Sequence, residues 1–340
     1  MKLLRYFKNL IEIIPGLSFI FDRLASTSIY QKIIKGKINK TISNLKKNKN
    51  YNIIIETTNF CNAQCVMCPH TIMKRSQKIM NETTFNKIIN RIKQENIHPN
   101  AFILNGFGEP LVDPKIINRI KTIKTIFPQS KIKFYSNLNL ANQKMIKNII
   151  SSGLDEINIS FNGYNRQNYQ KVMKISYPKT LKNLKFLIKT KQDTLSPLKI
   201  RVSMTLVKYN EKSAQKFIQK WSHLVDSVSV NKVHDYNHSV KNITNKFKIN
   251  FSKPAFPCKY IWDTIPIDVD GNVTLCCLDY ESQYQFGNVN SQPILKSFYS
   301  SKFNSIREKH LQFQPKNIKM CEHCYTPYKN GVEWLIDNLL

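Results

Sequence analysis

The sequence predicts an α/β protein in which six strands alternate with helices, followed by a small cysteine-bearing α+β module. Three observations carry this prediction. Between Tyr51 and about Val233, short β-branched and apolar runs alternate with segments of helical period. Several of the helical segments open on an Asn, or on an Asp followed by Pro. Eight cysteines fall into two separated groups, Cys61, Cys65 and Cys68 early and Cys258, Cys276, Cys277, Cys321 and Cys324 late, which suggests one site per domain.

Residues 1–50 form a basic N-terminal extension with one apolar stretch, Leu10 to Leu24, interrupted by Pro15 and Gly16. It reads as a helical prefix packed on the main domain, the alternative being an amphipathic anchor that gives peripheral contact with a membrane. Over residues 51–233 strands are predicted at Asn52–Thr57, Ala101–Asn105, Lys131–Tyr135, Glu156–Phe161, Lys199–Val207 and Ser227–Val233. Helices are predicted at about 82–95, 114–127, 142–152, 179–191 and 211–222. Asp113 and Pro114 read as a cap with proline at the first helical position, and Asn81 and Asn210 as side-chain caps. Strands separated by helices run parallel through right-handed crossovers, and six of them fit a partial barrel or an open sheet equally well. In either architecture ligands gather at the carboxyl ends of the strands. Residues 234–256 break the rhythm and read as a linker running into Pro254 and Pro257. Within a module over 257–330, Trp262–Asp268 and Asn272–Cys277 flank Asp270 and Gly271, a hairpin signal. Residues 331–340 are expected to form a C-terminal helix.

A chain of 340 residues is long enough for about two domains with buried cores, which excludes a peptide or a lone small binding module. Neither a run of ~18 apolar residues nor a cleavable signal peptide is evident, so the cytoplasm is the expected location. The net charge is +30, from 52 Lys+Arg against 22 Asp+Glu, but only 8 of the basic residues are Arg and the chain carries 37 Asn. Excess Lys, Asn and Ile is what AT-rich coding writes on any surface, whereas base-edge and bidentate phosphate recognition use Arg. The charge therefore reads as compositional, with an acidic partner as the alternative, and nucleic acid is not the expected partner. In a compartment that keeps thiols reduced, eight cysteines point to metal ligation rather than disulfides.

The first group follows directly on the first strand, where Glu56 to Phe60 lead into Cys61-x3-Cys65-x2-Cys68. Three thiolates from one loop can converge on one cluster, and in a four-iron cluster they leave one iron open, the mark of a catalytic metal site. His70 as a fourth ligand would instead close a zinc site, and ordinary buried cysteines are the plainer alternative. The loop resembles that of the radical S-adenosylmethionine (SAM) superfamily, with Met67 where an aromatic residue is common. The resemblance implies a partial (βα)6 barrel, a [4Fe-4S] cluster on Cys61, Cys65 and Cys68, and S-adenosylmethionine at the open iron. It implies reductive cleavage of that cofactor to a 5′-deoxyadenosyl radical, fed by a reductant such as flavodoxin or ferredoxin, and hydrogen abstraction from a substrate.

Companion motifs occur in the matching order. Asn105-Gly106-Phe107-Gly108-Glu109-Pro110-Leu111 resembles the family's G-G-E-P turn, which meets the methionine amino group; Phe107 replaces the first glycine, and Gly108 is expected to allow close approach to the ligand. Tyr135-Ser136-Asn137-Leu138 resembles the element ending the third strand. The segment from Gly153 to Gly163 resembles the fourth strand, whose serine reaches the cofactor, with Asn162 in place of the customary aspartate. The cofactor-binding residues implied are Met67, Phe107, Gly108, Glu109, Asn137 and Ser160.

The second group reads Cys258-x17-Cys276-x44-Cys321-x2-Cys324, with Gly271 five residues before Cys276. It resembles the SPASM and twitch auxiliary-cluster domains, as do Phe286-Gly287-Asn288-Val289 and the run from Phe298 to Arg307. With Cys324 as the last cysteine, the likeness is to the shorter twitch form, in which Cys258, Cys276, Cys321 and Cys324 would close one auxiliary [4Fe-4S] cluster. A zinc site on the same four thiolates is the alternative. Cys276 and Cys277 are neighbours on a predicted strand and face opposite sides; the glycine spacing selects Cys276 as the ligand and leaves Cys277 as a small core residue.

The cysteine spacing is most similar to that of 2-deoxy-scyllo-inosamine dehydrogenase, which implies radical oxidation of a small polyol, amino sugar or surface-glycan precursor. A peptide- or protein-modifying maturase is the rival enzyme reading; such enzymes usually carry a leader-binding domain, for which fifty N-terminal residues are too short. A zinc-stabilised, basic nucleic-acid-binding protein is the non-enzyme rival. Candidate substrate contacts are Arg201, Ser203 and Thr205 on the fifth strand and His234 and Asp235 after the sixth, each also readable as an ordinary structural polar residue.

Overall fold

In a computed structural model, residues 27–234, 236, 239–240, 243 and 255–327 are described. The chain divides into two units, Asn50–Phe247 with Thr264–Phe298, and Met1–Lys49 with Lys248–Asp263 and Tyr299–Leu340. The residues read from sequence as one module over 257–330 are thus divided between them.

In the first unit the β-branched runs become strands β1 (Asn52–Ile55), β2 (Ala101–Ile103), β3 (Lys131–Ser136), β4 (Glu156–Ser160), β5 (Lys199–Leu206) and β6 (Ser227–Lys232). They pair in parallel in the order β6-β5-β4-β3-β2-β1, with helices Glu82–Gln94, Ile116–Ile126, Gln143–Ile150, Tyr177–Asp193 and Ala214–Trp221 between them. This is the α/β arrangement of a partial (βα)6 barrel. The sheet continues beyond β1. Strand β7 (Thr264–Ile267) pairs in parallel with β1, Ile53 opposite Ile265, and β8 (Asn272–Thr274) and β9 (Gln285–Asn288) follow antiparallel. The hairpin at Asp270-Gly271 forms as predicted, but its strands are shorter: Trp262 lies in the short helix Tyr260–Asp263, and Cys276 and Cys277 lie past the end of β8.

Alternation along the strands sorts side chains onto two unlike faces. Phe134, Ile157 and Ile200 stand in register, as do Ile159 and Val202, all at most 1% exposed. Helices Ile116–Ile126 and Ala214–Trp221 contact β3, β5 and β6. The opposite face carries Tyr135, Asn158, Arg201 and Ser227 in one row and Ser160, Ser203 and Ser229 in the next. Parallel sheets usually bury apolar side chains on both faces, so the polar face is the departure that needs a reason.

Of the helix caps, Asn81 forms as expected, Asp113 forms in part and Asn210 is corrected. Asn81 accepts the Thr84 N–H at 2.7 Å, as predicted. Asp113 makes the predicted contact one turn early: its Oδ1 accepts the Lys115 N–H at 2.9 Å ahead of a helix that begins at Ile116, and its Oδ2 meets Arg119 Nε at 2.8 Å, both side chains at most 1% exposed. Asn210 does not cap: its Oδ1 accepts the Val207 N–H at 2.8 Å and its amide donates to the carbonyls of Asn162 and Thr205, locking the end of β5. A further helix, Arg166–Met173, escaped the sequence reading because its only buried side chains are Tyr169, Val172 and Met173.

In the second unit, helix Ser28–Asn48 is capped by Thr27, buries Ile34 and Ile38, and sets Tyr30 edge-on to Phe256 at 5.9 Å. Helix Ser301–Leu311 carries Arg307, whose guanidinium donates to the Ile261 carbonyl and lies 4.0 Å from the Phe303 ring centroid. The apolar stretch Leu10 to Leu24, most of the predicted linker and the expected helix at 331–340 lie outside the described residues. No described helix is long and apolar enough to cross a membrane.

Arg119→Met would leave Asp113 charged and buried without its partner. The expected cost is about 3–5 kcal/mol, read as a lower urea midpoint; an unchanged midpoint would show that the pair holds nothing in place.

Candidate active site

The segment from Thr57 to Met80 is a loop cinched at its feet. Thr58 and Ile79 form an antiparallel bridge, Met80 N–H donates to the Thr57 carbonyl at 2.9 Å, and the Asn59 side chain accepts from Lys78 N–H and donates to the Ser76 carbonyl. Between the feet stand Cys61, Cys65 and Cys68. Val66 N–H reaches the Val172 carbonyl at 2.9 Å and Cys65 Sγ lies 3.5 Å from Met173 Sδ, so the unpredicted helix supports the loop. Met67 is buried in the same loop. His70 sets Nε2 3.0 Å from the Asn59 carbonyl, which engages that nitrogen in holding the loop.

Burial pushes the Cys61 thiol up to about 12 and raises Cys65 and Cys68 as well. As bare thiols they stay protonated at neutral pH; a cation that offsets the charge would release those protons. That donor set fits an iron–sulfur cluster. Among the described residues no three His, Cys, Asp or Glu side chains close on a single ion, but in a four-iron cluster each thiolate takes its own iron.

The turn after β2 is held by two buried carboxylates. Glu56, at the end of β1, accepts the Phe107 N–H at 2.9 Å and both terminal nitrogens of Arg75 at 2.6 Å. Glu109 accepts Ser136 Oγ–H at 2.6 Å, Asn137 N–H at 2.7 Å and Leu111 N–H at 3.2 Å, joining the ends of β2 and β3. Burial raises the Glu109 carboxyl to about 7 against these three donors. Gly108 is required by the fold itself. A Cβ there would stand 2.3 Å from the Thr58 carbonyl oxygen and 2.6 Å from that of Phe60, so the bare backbone makes room for the cysteine loop itself. Phe107 packs edge-on to Tyr236 and Tyr280, with centroids at 6.1 and 6.0 Å. Asn137 donates to Asn62 Oδ1 at 2.9 Å, tying β3 to the cysteine loop.

The loop, the turn after β2 and the end of β3 therefore meet at the carboxyl ends of the strands. Ser160 ends β4, half-buried, in register with Ser203. Arg201, Ser203 and Thr205 share the polar face of β5, where Arg201 Nε donates to Ser227 Oγ at 3.1 Å and Ser203 Oγ reaches the Ile159 carbonyl at 3.4 Å. Thr205 N–H donates to Asn162 Oδ1 at 2.7 Å. His234 Nδ1 accepts the Tyr236 N–H at 2.8 Å, and Asp235 lies outside the described residues. Sequence reading missed Glu56 and Arg75, whose available signal was an arginine soon after the cysteines in an arginine-poor chain.

Of the second group, Cys258, Cys321 and Cys324 belong to one unit and Cys276 to the other. Cys324 N–H donates to the Cys321 carbonyl at 3.2 Å, and burial raises the Cys321 thiol. Cys258 N–H donates to Nδ1 of His310, whose imidazole burial holds down at about 4. Cys277 is not a core residue: it is exposed in the turn after β8, where strand alternation no longer applies.

Comparison with known families matches residues 55–219 to the model of the radical SAM superfamily and residues 258–325 to that of the SPASM iron–sulfur cluster-binding domain. The chain belongs to the radical SAM superfamily. It is a radical SAM enzyme with a C-terminal SPASM region, so its cofactors are S-adenosylmethionine, a [4Fe-4S] cluster and auxiliary iron–sulfur in the SPASM domain. The non-enzyme reading falls with this finding. No curated protein sequence matches the chain. Among solved structures it is similar to BtrN in complex with AdoMet and 2-DOIA, at 15% identity over 80% of this chain and 92% of that one, with a TM-score of 0.56. It is similar to Streptococcus suis SuiB bound to the precursor peptide SuiA, at 13% identity over 79% and 70%, TM-score 0.60. It is also similar to anSMEcpe with AdoMet and the Cp18Cys peptide, at 14% identity over 85% and 98%, TM-score 0.60. At these identities the likeness concerns the radical SAM fold alone.

The Glu109 carboxyl, raised to about 7 from an ordinary 4.5, favours the folded state fully below pH 4.5 and loses that contribution as pH rises through 7. Wild type is therefore expected to lose on the order of 3 kcal/mol between pH 5 and 8 relative to Glu109→Gln, which carries no such proton. Urea titrations of both apoproteins at the two pH values check this; parallel pH slopes would remove Glu109 as the titrating group.

Proposed function

We propose that Cys61, Cys65 and Cys68 hold the cluster that binds S-adenosylmethionine, with Met67, Phe107, Gly108, Glu109, Asn137 and Ser160 around the cofactor. Cys258, Cys276, Cys321 and Cys324 then close one auxiliary [4Fe-4S] cluster. When bound and reduced, the cluster and S-adenosylmethionine supply a 5′-deoxyadenosyl radical that takes a hydrogen atom from the substrate; the electron comes from a reductant such as flavodoxin or ferredoxin. The chain's own residues hold this site in shape: Glu109 fixes the ends of β2 and β3, and Asn137 fixes Asn62 of the cysteine loop.

The substrate we infer is a small polyol, amino sugar or surface-glycan precursor, oxidised at a carbinol carbon with the auxiliary cluster as electron acceptor. The observation that carries this is the polar face of β3 to β6. Its Ser, Thr, Asn, Tyr and Arg side chains suit a ligand rich in hydroxyls better than an apolar peptide side chain. BtrN, solved with 2-DOIA, supports the same reading. The peptide-modifying alternative draws support from SuiB and anSMEcpe, both solved with peptides.

Anaerobically reconstituted protein is expected to carry about eight irons and to cleave S-adenosylmethionine to 5′-deoxyadenosine. Replacing Cys61, Cys65 and Cys68 by Ala abolishes cleavage, while a folded Cys321→Ala protein falls to about four irons and keeps some. Unchanged cleavage in the triple variant sinks the cluster assignment. For the substrate, a carbinol-deuterated aminocyclitol transfers its label to 5′-deoxyadenosine; label arriving instead from a deuterated peptide overturns the small-molecule reading.

A further inference from the structure

Asn158 lies in the middle of β4, on the polar face, and is 4% exposed. Its Oδ1 is buried without a hydrogen-bond partner among the described residues. An unpaired buried amide destabilises a fold, and nothing in the strand asks for one, since Val or Ile at this position is what a parallel sheet ordinarily takes. The register sets Asn158 between Tyr135 on β3 and Arg201 on β5. Arg201 is engaged with Ser227 Oγ at 3.1 Å and stands 3.7 Å from Glu156. Tyr135, its neighbour in the row, is 39% exposed. Ser160, assigned above to the cofactor, stands two residues further along the same face, about 6.6 Å toward the carboxyl end.

We propose that Asn158 is a substrate-recognition residue whose Oδ1 accepts the proton of a substrate hydroxyl, with the Tyr135 O–H as its neighbour on the ligand. A hydroxyl both donates and accepts, which matches an amide carbonyl and NH2 side by side. A polyol presents several such groups at once, and the hydroxyl of the neighbouring Tyr135 fits it too. The place in the strand fits as well, because a group held one repeat below Ser160 sits next to the cofactor without displacing it. The inference rests on the small-polyol reading.

The test uses the reconstituted holoenzyme with S-adenosylmethionine, wild type against Asn158→Leu and Asn158→Ser, and two probes, 2-deoxy-scyllo-inosamine and a seryl tripeptide. Asn158→Leu should raise the unliganded thermal midpoint by about 2 °C, because an unsatisfied amide is lost, while weakening aminocyclitol binding at least about tenfold. S-adenosylmethionine affinity should stay unchanged. Asn158→Ser, which keeps a polar atom but not its reach, should weaken the same probe and serves if the leucine variant does not fold. A lowered midpoint with unchanged probe affinity would make Asn158 a structural residue and overturn the proposal. Aminocyclitol binding that both variants retain overturns Asn158 while the polyol reading stands. Wild type that binds only the tripeptide overturns both.

Discussion

The pair between Glu56 and Arg75 is the constraint on which the rest of the site depends. Glu56 is 3% exposed, and its two oxygens take both Arg75 terminal nitrogens, the Phe107 N–H and the Val269 N–H. One carboxylate therefore joins the return of the cysteine loop, the turn after β2 and the end of β7. Gly106 is part of the same arrangement, since a Cβ there would meet the Glu56 side chain at 2.2 Å. A buried ion pair repays its desolvation only when the remaining lone pairs are also filled, and here they are. Arg75 carries the linkage further, donating from Nε to the Tyr280 carbonyl at 2.7 Å, while the Lys74 and Arg75 N–H groups reach Glu281. Through these contacts the loop that bears Cys61, Cys65 and Cys68 is referred to the sheet and to the segment after β8.

This explains where arginine is found. In a chain with 52 Lys+Arg, lysine fills exposed positions at little cost, while three of the described arginines sit where a planar fork is needed. Arg75 is bidentate to Glu56, Arg119 bridges Asp113 and the Met80 carbonyl, and Arg307 bonds Ile261 and Asn304. The feature that argued against nucleic-acid recognition thus also marked the interior forks, a signal that the sequence reading did not use.

The strands were legible because β-branched runs and helical periods differ locally, and the cysteine loop because three ligands on one loop are chemically specific. What was not legible depends on contacts between segments distant in sequence. Asp113 reads as a cap, but only the fold shows that its second oxygen is held by Arg119, and Asn210 looks like a cap until Asn162 and the end of β5 claim its amide. Trp262–Asp268 carries a strand signal, but nothing in its own residues says that β7 pairs with β1. Helix Arg166–Met173 is mostly polar, and its packing role at Val66 and Cys65 is visible only in three dimensions.

The electrostatics of the loop and of Glu109 share one logic. Burial raises the three thiols and also the nearby carboxyl, so without a cation the site suppresses its own negative charge. A site built this way costs less to fold empty than one with thiolates and a carboxylate already charged, because neutral groups lose less on leaving water. The same burial that makes the empty site tolerable strengthens the interaction with iron once the protons leave. Folding and cluster loading are then coupled through protons, and the hydrogen bonds at Glu109 and Asn59 keep the loop in shape for that exchange.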